Sequence, residues 1–363
     1  MTQGPLAGVR VVEFDAIGPV PLAAMMLADM GCEVVRIARR SGQTWDETGG
    51  AVLNRGRPVV HLALKDETDR TSALALVARA DAVIEGFRPG VMERLGLGPD
   101  VCLELNPRLV FARMTGWGQT GPLAQRAGHD INYIAVTGAL NAIGPADRPP
   151  PPPLNMLGDY GGGAMFAVVG LLAAIINART TGRGQVVDVA MTDGVAVLTS
   201  FFHAFRHRGL WRDERGTNLL DGGAPFYRCY ACADGRFVAV GALEPQFFTQ
   251  LLVGLDFRPE DFAQYDPGGW PRMEAAFTER FMTRTRDEWD RVFAETDACV
   301  SPVLGFEEAP GHAHNRRRDT FITRAGLVQP APAPRFETTP SVAGESIIGE
   351  MTASEALARW VSD

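Results

Sequence analysis

The chain has 363 residues, 46% of them hydrophobic and 21% charged, and a net charge of −8. This balance is typical of a soluble globular protein, and the length is sufficient for two domains of ordinary size. An acidic chain without basic runs is a poor binder of nucleic acid or of an anionic membrane, so we expect neither as a partner.

Cysteine content and the terminal sequences bear on metal binding and on cellular location. The five cysteines are an odd and sparse set, which favours reduced thiols. Cys229 and Cys232 form a lone C-x-x-C without a second pair of ligands, so we interpret them as structural and expect no metal. The longest apolar or glycine run, 161–176, is shorter than a membrane span, and neither terminus carries a secretory or peroxisomal signal. These features predict a cytoplasmic protein with no membrane partner.

The first half of the chain alternates short apolar runs with helical segments. Strands are predicted at 9–14, 33–37, 59–64, 82–85, 109–114 and 185–189, and helices at 21–30, 69–80, 164–178 and 192–208. Strand, helix and strand within thirty residues form a βαβ unit, which favours a parallel sheet. We therefore predict an α/β fold with a doubly wound large domain, whose ligands bind beyond the carboxyl ends of the strands.

Cationic residues follow several of these strands. Each is an ordinary loop residue when taken alone, but as a set at one sheet edge of an acidic protein they favour a phosphate-bearing ligand. The set comprises Arg39, Arg40, Arg55, Arg57, Lys65, Arg88 and Arg94.

Residues 116–121, G-W-G-Q-T-G, match the dinucleotide fingerprint G-x-G-x-x-G and follow a predicted strand. We reject that interpretation, because Pro122 comes next, no helix is nucleated and no acidic residue lies about 20 positions on. Close approach of the backbone to a ligand is the better explanation for these glycines.

His129 and Asp159 are the two ionisable residues that stand out in this glycine- and proline-rich region. On two loops, a His and an Asp can serve as proton-transfer groups on opposite sides of one bound carbon. Five prolines at 149–153 form a rigid extended segment that leads to Asn155 and Asp159. Because a helix is predicted from 164 onward, Asp159 lies just before its N-terminus, and on local sequence it is equally well explained as a helix cap.

The second half predicts a smaller α+β domain. Residues 212–225 are a polar, glycine-rich linker, and strands at 227–232 and 237–240 flank Asp234-Gly235, a hairpin signal. A helix begins near Pro245, another covers 286–295, and a strand covers 299–304. We predict a large domain at 1–211, a small domain at 226–311, a linker at 312–335 and a C-terminal segment at 336–363 ending in a helix at 353–361. His203 and His207 share a helix face, but without H-E-x-x-H order we expect no metal there.

The longer motifs occur in a fixed order over nearly the whole chain: G-P-L-A-G-V-R-V-V-E-F, E-G-F-R-P-G-V-M-E-R-L-G-L-G, M-T-G-W-G-Q-T-G-P, G-H-D-I-N-Y, N-M-L-G-D-Y-G-G-G, L-D-G-G-A-P-F-Y and C-A-D-G-R-F-V-A-V-G-A-L-E-P-Q-F-F. In this set the sequence resembles the 2-methylacyl-CoA racemases of the class III CoA-transferase superfamily. The resemblance implies an interlocked homodimer. Its Rossmann-like large domain includes the returning C-terminus, and each active site lies between the large domain of one chain and the small domain of the other.

The resemblance also implies roles for individual residues. His129 and Asp159 match the catalytic pair, with Asp130 and Tyr133 beside the His and Asn155 beside the Asp. Glu244 matches a Glu that approaches the His from the partner subunit. The implied CoA-binding set is Arg39, Leu62, Lys65, Gly86, Arg88 and Arg94. Ala63 replaces an Asp that is frequent in the family, which affects recognition of the adenosine or ribose.

The implied reaction interconverts the (2R) and (2S) epimers of a 2-methyl-branched acyl-CoA through an enolate. His129 and Asp159 would serve opposite faces of the α-carbon, and backbone N–H groups of 158–160 would bind the enolate oxygen. No cofactor is required, since CoA is part of the substrate. Steroid side chains, branched fatty acids and arylpropionyl groups all fit this acyl class. One alternative is a CoA-transferase in which Asp159 is a nucleophile; another is a non-catalytic acyl-CoA-binding protein.

Overall fold

A computed structural model describes residues 4–40, 49–345 and 349–361. The described residues form two compact units. Unit 1 takes in Met1–Thr137, Pro153–Thr199 and His314–Asp363, and unit 2 takes in Gly138–Pro152 and Ser200–Ala313. The domain and linker boundaries expected from the sequence stay predictions.

Unit 1 contains the predicted parallel sheet. Its six strands are β1 (Arg10–Phe14), β2 (Glu33–Ala38), β3 (Val59–His61), β4 (Ala82–Glu85), β5 (Val110–Thr115) and β6 (Gln185–Ala190). They lie in the order β3-β2-β1-β4-β5-β6, and every neighbouring pair is parallel. The strand order reverses between β1 and β4, and in doubly wound folds this is the place where loops diverge and ligands bind.

Helices cover both faces of the sheet. Those before unit 2 are α1 (Pro19–Asp29), α2 (Ala51–Leu53), α3 (Glu67–Val77), α4 (Val91–Arg94), α5 (Pro99–Leu105), α6 (Asp130–Val136), α7 (Met165–Thr181) and α8 (Met191–Leu198). One core packs α1 and α7 against the sheet. The other, on the opposite face, packs α3 and α14 (Ala353–Val361). The short helix α13 (Ala313–Arg317) precedes an antiparallel hairpin of β10 (Phe321–Arg324) and β11 (Leu327–Pro330).

Two of the strand-end cations are buried instead of facing a ligand. Arg57 Nε lies 2.8 Å from Glu13 Oε2, and both side chains are fully buried. Arg55 pairs with Asp29 and also donates to Gln329 Oε1 at 2.8 Å. Burial raises the pKa of Glu13 to about 7, against the opposing effect of Arg57. The prediction that Arg55 and Arg57 join a phosphate site is therefore wrong: each neutralises a carboxylate inside unit 1.

Unit 2 is built on a three-stranded antiparallel sheet. Its strands are β7 (Tyr227–Ala231), β8 (Phe237–Gly241) and β9 (Val300–Pro302), with the predicted turn at Asp234-Gly235 between the first two. Its helices are α9 (Ser200–His207), α10 (Pro245–Gly254), α11 (Trp270–Phe281) and α12 (Arg286–Phe293). Aromatic and aliphatic side chains from the sheet and from α10, α11 and α12 form one core around Trp289 and Phe277.

The single helix predicted at 192–208 is in fact two helices, α8 and α9, which are separated at Thr199. Thr199 Oγ1 donates to the carbonyl of Ala196 at 2.8 Å, and a side chain that bonds back to the helix in this way competes with the regular ladder. The break coincides with the boundary between the two units.

Within the described part of the chain, one helix, Met156–Thr181, is long and apolar enough to cross a membrane by length and composition, and half of its apolar window is buried. The 161–176 run, which is too short for a span by itself, is part of it. A single such helix is weak evidence for a membrane span, because core helices pass the same test, and α7 packs against β5 and β6.

Candidate active site

Asp159 lies in a π-helical segment, Met156–Ala164, that continues directly into α7. The prediction that it precedes a helix N-terminus as a cap is wrong: Asn155 is the N-cap residue, and Asp159 lies in the first turn. Glycines allow this segment to pack closely on its neighbours. A Cβ on Gly162 would come within 2.7 Å of Val195, and one on Gly163 within 3.1 Å of Pro19. π-Helical segments are rare in proteins, and those inserted next to an α-helix occur frequently at functional sites.

The Asp159 carboxyl faces the loop that follows β1. Its Oδ2 lies 3.2 Å from the position that a Cβ on Gly18 would occupy, and Asn155 Nδ2 donates to it at 3.4 Å. The pKa of Asp159 is raised, first by burial and then by the charge of Asp130, with Asn155 and His129 acting in the opposite direction. The carboxyl therefore sits at the sheet edge where the strand order reverses, with an increased tendency to hold a proton.

His129 is exposed and immediately precedes α6. Its N–H donates to Asn132 Oδ1 at 3.1 Å, and its carbonyl accepts from the N–H groups of Asn132 and Tyr133. The charge of His129 lowers the pKa of Asp159, so the structure brings these two predicted residues into electrostatic range of each other.

Asp130 connects the two predicted catalytic segments. Its Oδ2 accepts hydrogen bonds from the N–H groups of Gly158 and Asp159, both at 2.7 Å. The N–H of Tyr160 donates to the carbonyl of Asn155 at 3.3 Å. The predicted enolate-binding donors at 158–160 are therefore already engaged within the protein, and that prediction is wrong.

The Tyr133 ring explains why positions 116 and 128 are glycines. Its hydroxyl donates to the carbonyl of Gly128, and its ring packs edge-on against Trp117 with centroids 4.8 Å apart. A Cβ on Gly116 would overlap this ring, and one on Gly128 would approach it to 2.7 Å. The close approach made at Gly116 is therefore to Tyr133 and not to a ligand, contrary to the sequence-based interpretation. Burial, followed by the charge of Asp159, raises the pKa of Tyr133 to about 12.

The predicted CoA-binding residues follow the carboxyl ends of the strands, most of them in loops and Arg94 at the end of α4. Arg39, Lys65, Arg88 and Arg94 are exposed, whereas Leu62 is only 5% exposed and belongs to the core. Arg88 is close enough to Tyr133 to act on its pKa by charge. Gly86 packs so closely on Val20 and Ala16 that a Cβ would approach them to 2.9 and 3.0 Å.

A cavity of about 460 Å³ opens at the end of β3. Its lining is formed by Arg40, Val60, His61, Glu350, Met351, Thr352 and Ala353. His61 Nδ1 lies 2.8 Å from the carbonyl oxygen of Arg39, and its Nε2 lies 3.3 Å from Glu350. The sequence did not single out His61, which lines this cavity, or Gly18, which lies against the Asp159 carboxyl. Both follow or end a strand at the carboxyl edge, which is the signal that could have identified them.

Glu244 is the predicted catalytic residue that lies in unit 2. It is exposed and occupies the N-cap position of α10, although its side chain caps no N–H. Its charge raises the pKa of both Tyr265 and Cys299, after burial, so these two residues are its neighbours in unit 2. All five cysteines are free thiols, and within the described ranges no cluster of His, Cys, Asp or Glu could hold a metal.

Comparison with known proteins extends the resemblance found in the sequence. The chain is 47% identical to the alpha-methylacyl-CoA racemase of Mus musculus over 93% of this chain and 88% of that protein. It is 43% identical to the Homo sapiens racemase over 96% and 91%. A CaiB/BaiF family protein from Brucella suis has the same fold, with a TM-score of 0.84 at 22% identity over 99% of both chains. The model of CoA-transferase family III matches residues 6–345. This chain therefore belongs to CoA-transferase family III.

Proposed function

We propose that this protein is a 2-methylacyl-CoA racemase that interconverts the (2R) and (2S) epimers of its substrate. The observation that carries the proposal is the pairing of an exposed His129 with a partly buried Asp159 of raised pKa, the two residues being close enough for the charge of one to act on the other. The names of the mouse and human relatives support the same activity.

The chemistry follows from the acidity of the α-proton of a thioester. One residue accepts that proton as the Cα–H bond breaks, and the electron pair delocalises onto the thioester oxygen as an enolate. The other residue then donates a proton to the opposite face of the same carbon. Imidazole is a common general acid and base, which suits one face, and a carboxyl whose pKa is raised holds its proton more readily than an ordinary one, which suits the other.

CoA supplies the phosphates for which the exposed cations are suited. In this proposal Arg39, Lys65, Arg88 and Arg94 bind the phosphates, while Leu62 and Gly86 shape the surface beneath the nucleotide. Asp130, Tyr133 and Asn155 support the reacting end. No other cofactor takes part. Arg94→Ala should raise KM for the CoA ester far more than for a pantetheine ester that lacks the nucleotide; equal increases would exclude Arg94 from the phosphate site.

The homodimer is also part of the proposal, with Glu244 of each chain orienting His129 of the other. Large apolar side chains on unit 1 support a covered surface: Val169 and Ile176 on α7 are 65% and 67% exposed, and Val197 on α8 is 57% exposed. Val169 and Ile176 are seven residues apart and therefore share one face of α7, and an exposed apolar face of this kind is typical of surfaces that a partner covers. A cytoplasmic location without nucleic-acid or membrane partners completes the proposal.

The alternative is the transferase chemistry for which the family is named, with Asp159 as a nucleophile that forms a mixed anhydride with the acyl group. The decisive experiment incubates the protein with a single epimer of a 2-methylacyl-CoA in D₂O. A racemase forms the other epimer, with deuterium at C2, and does so without any added acyl acceptor. No epimerisation, together with an acyl-aspartate at Asp159 that hydroxylamine traps, would establish the transferase instead.

A further inference from the structure

We infer that Asp130 is a positioning residue that holds the His129 loop and the Asp159 segment in one fixed arrangement. It would do so by accepting two backbone hydrogen bonds across a sequence separation of 28 to 29 residues. The inference deepens the proposed function and rests on it for the activity measurements, although one of its tests requires no substrate.

The contacts are specific to this pair of segments. Asp130 follows His129 directly, so its position in α6 fixes where the histidine backbone lies. The side chain is 6% exposed, and a single oxygen, Oδ2, accepts from both Gly158 and Asp159 at 2.7 Å. Charge-assisted hydrogen bonds of this length are about twice as strong as neutral ones. A shift of either segment would therefore break a strong, buried interaction.

Gly158 shows how tightly the connection is built. A Cβ at this position would lie 2.7 Å from Asp130 Oδ2 and 3.2 Å from Ile134 Cγ2. Only glycine allows the backbone to approach the carboxylate closely enough to donate. The glycine that precedes the catalytic Asp is thus explained by Asp130, which lies in a different motif of the sequence.

Asp130 also acts on Asp159 through its charge. It is the second cause of the raised pKa of Asp159, after burial, and His129 acts in the opposite direction. Helices α1, α7 and α8 and strand β6 also pack against the Asp159 segment. Their charged groups are Asp29, which is paired with Arg55, Arg179 in the last turn of α7, Asp193, which is exposed, and Asp188, whose Oδ2 accepts the N–H of Gln119. On α6 itself, Tyr133 is the remaining titratable group, with Arg88 near it.

Two substitutions separate the geometric from the electrostatic contribution. Asp130→Asn keeps an oxygen that can accept both N–H groups but removes the charge, so the limb of the pH profile that reports Asp159 should move to lower pH. Asp130→Ala removes the oxygen that accepts both hydrogen bonds, and kcat should fall by about 10²-fold with little change in KM, since a small misplacement of a catalytic group has an effect of this size.

Asp234→Ala is the matched control. Asp234 Oδ1 also accepts two backbone N–H groups, from Arg236 at 3.2 Å and Arg286 at 3.3 Å, but in unit 2. The Asp234→Ala variant should leave kcat and the pH profile unchanged. Circular dichroism of all three variants establishes that they are folded.

Amide hydrogen exchange of the peptide covering 155–162 tests the geometry without substrate. Exchange at Gly158 and Asp159 should accelerate in Asp130→Ala and stay slow in Asp130→Asn and in the control. Unchanged exchange and kcat in Asp130→Ala would overturn the positioning role, and an unmoved pH profile in Asp130→Asn would overturn the electrostatic one. If the unmodified protein fails to epimerise its substrate, the proposed function fails, but amide exchange still decides the inference.

Discussion

At the scale of single residues, the Asp159 carboxyl is held in surroundings that oppose its ionisation. It is partly buried and close to the charged Asp130, and its pKa is raised as a result. A racemase requires such a carboxyl, because the group must donate a proton in one direction of the reaction and accept one in the other. The same arrangement destabilises the folded protein whenever Asp159 is ionised.

Asp159→Asn should therefore make the protein more stable at neutral pH while abolishing epimerisation. An acid whose pKa is higher in the folded state binds its proton more tightly there, so its stabilising contribution is present at low pH and is lost as pH rises through the folded pKa. The gain in Tm from Asp159→Asn should be greatest at neutral pH and should shrink as the pH approaches the unfolded value of 3.8. A lower Tm for the variant at neutral pH would contradict this account.

At the scale of elements, local sequence predicted the strands of the parallel sheet to within one residue at each end, except that β3 ends at His61 and not at 64. The last helix was also predicted with its observed bounds, Ala353–Val361. The π-helical segment could not be predicted, because it depends on Val195 and Met191 of α8 packing against glycines. His129 and Asp159 were recognisable in their motifs. The contacts of Asp130, Gly116 and Arg57 could not be predicted, because their partners are distant in sequence.

Gly116→Ala tests how β5 and α6 are joined. The new methyl group would overlap the Tyr133 ring, displace it from the Gly128 carbonyl and disturb the loop that carries His129. We expect a loss of about 1–3 kcal/mol in the free energy of unfolding, as for other overpacked cores, together with a lower kcat.

Gly311→Ala is the control, because a Cβ there meets no atom within 4 Å and the backbone φ is not positive. Chemical denaturation and kinetic assays compare the two variants. Equal stability and activity of Gly116→Ala and the unmodified protein would show that Tyr133 does not fix the His129 loop.

At the scale of the whole molecule, His129 and Asp159 belong to unit 1 and Glu244 belongs to unit 2. In the proposed dimer, each site combines His129 of one chain with Glu244 of the other. His129→Ala and Glu244→Ala chains, each inactive alone, should regain activity when refolded together, because every heterodimer contains one intact site. Continued inactivity of heterodimers that are shown to form would mean that the sites are not composite.

The central claim is that His129 and Asp159 act on opposite faces of the α-carbon, and deuterium exchange in the single mutants tests it most directly. Each mutant is incubated in D₂O with each epimer of a 2-methylacyl-CoA, and deuterium at C2 is measured together with epimerisation. Neither mutant should epimerise, since inversion requires both groups. His129→Ala should exchange only the epimer whose proton faces Asp159, and Asp159→Ala only the other, at rates reduced by about 10²–10⁴-fold. Identical exchange of both epimers by both mutants would contradict the two-face mechanism.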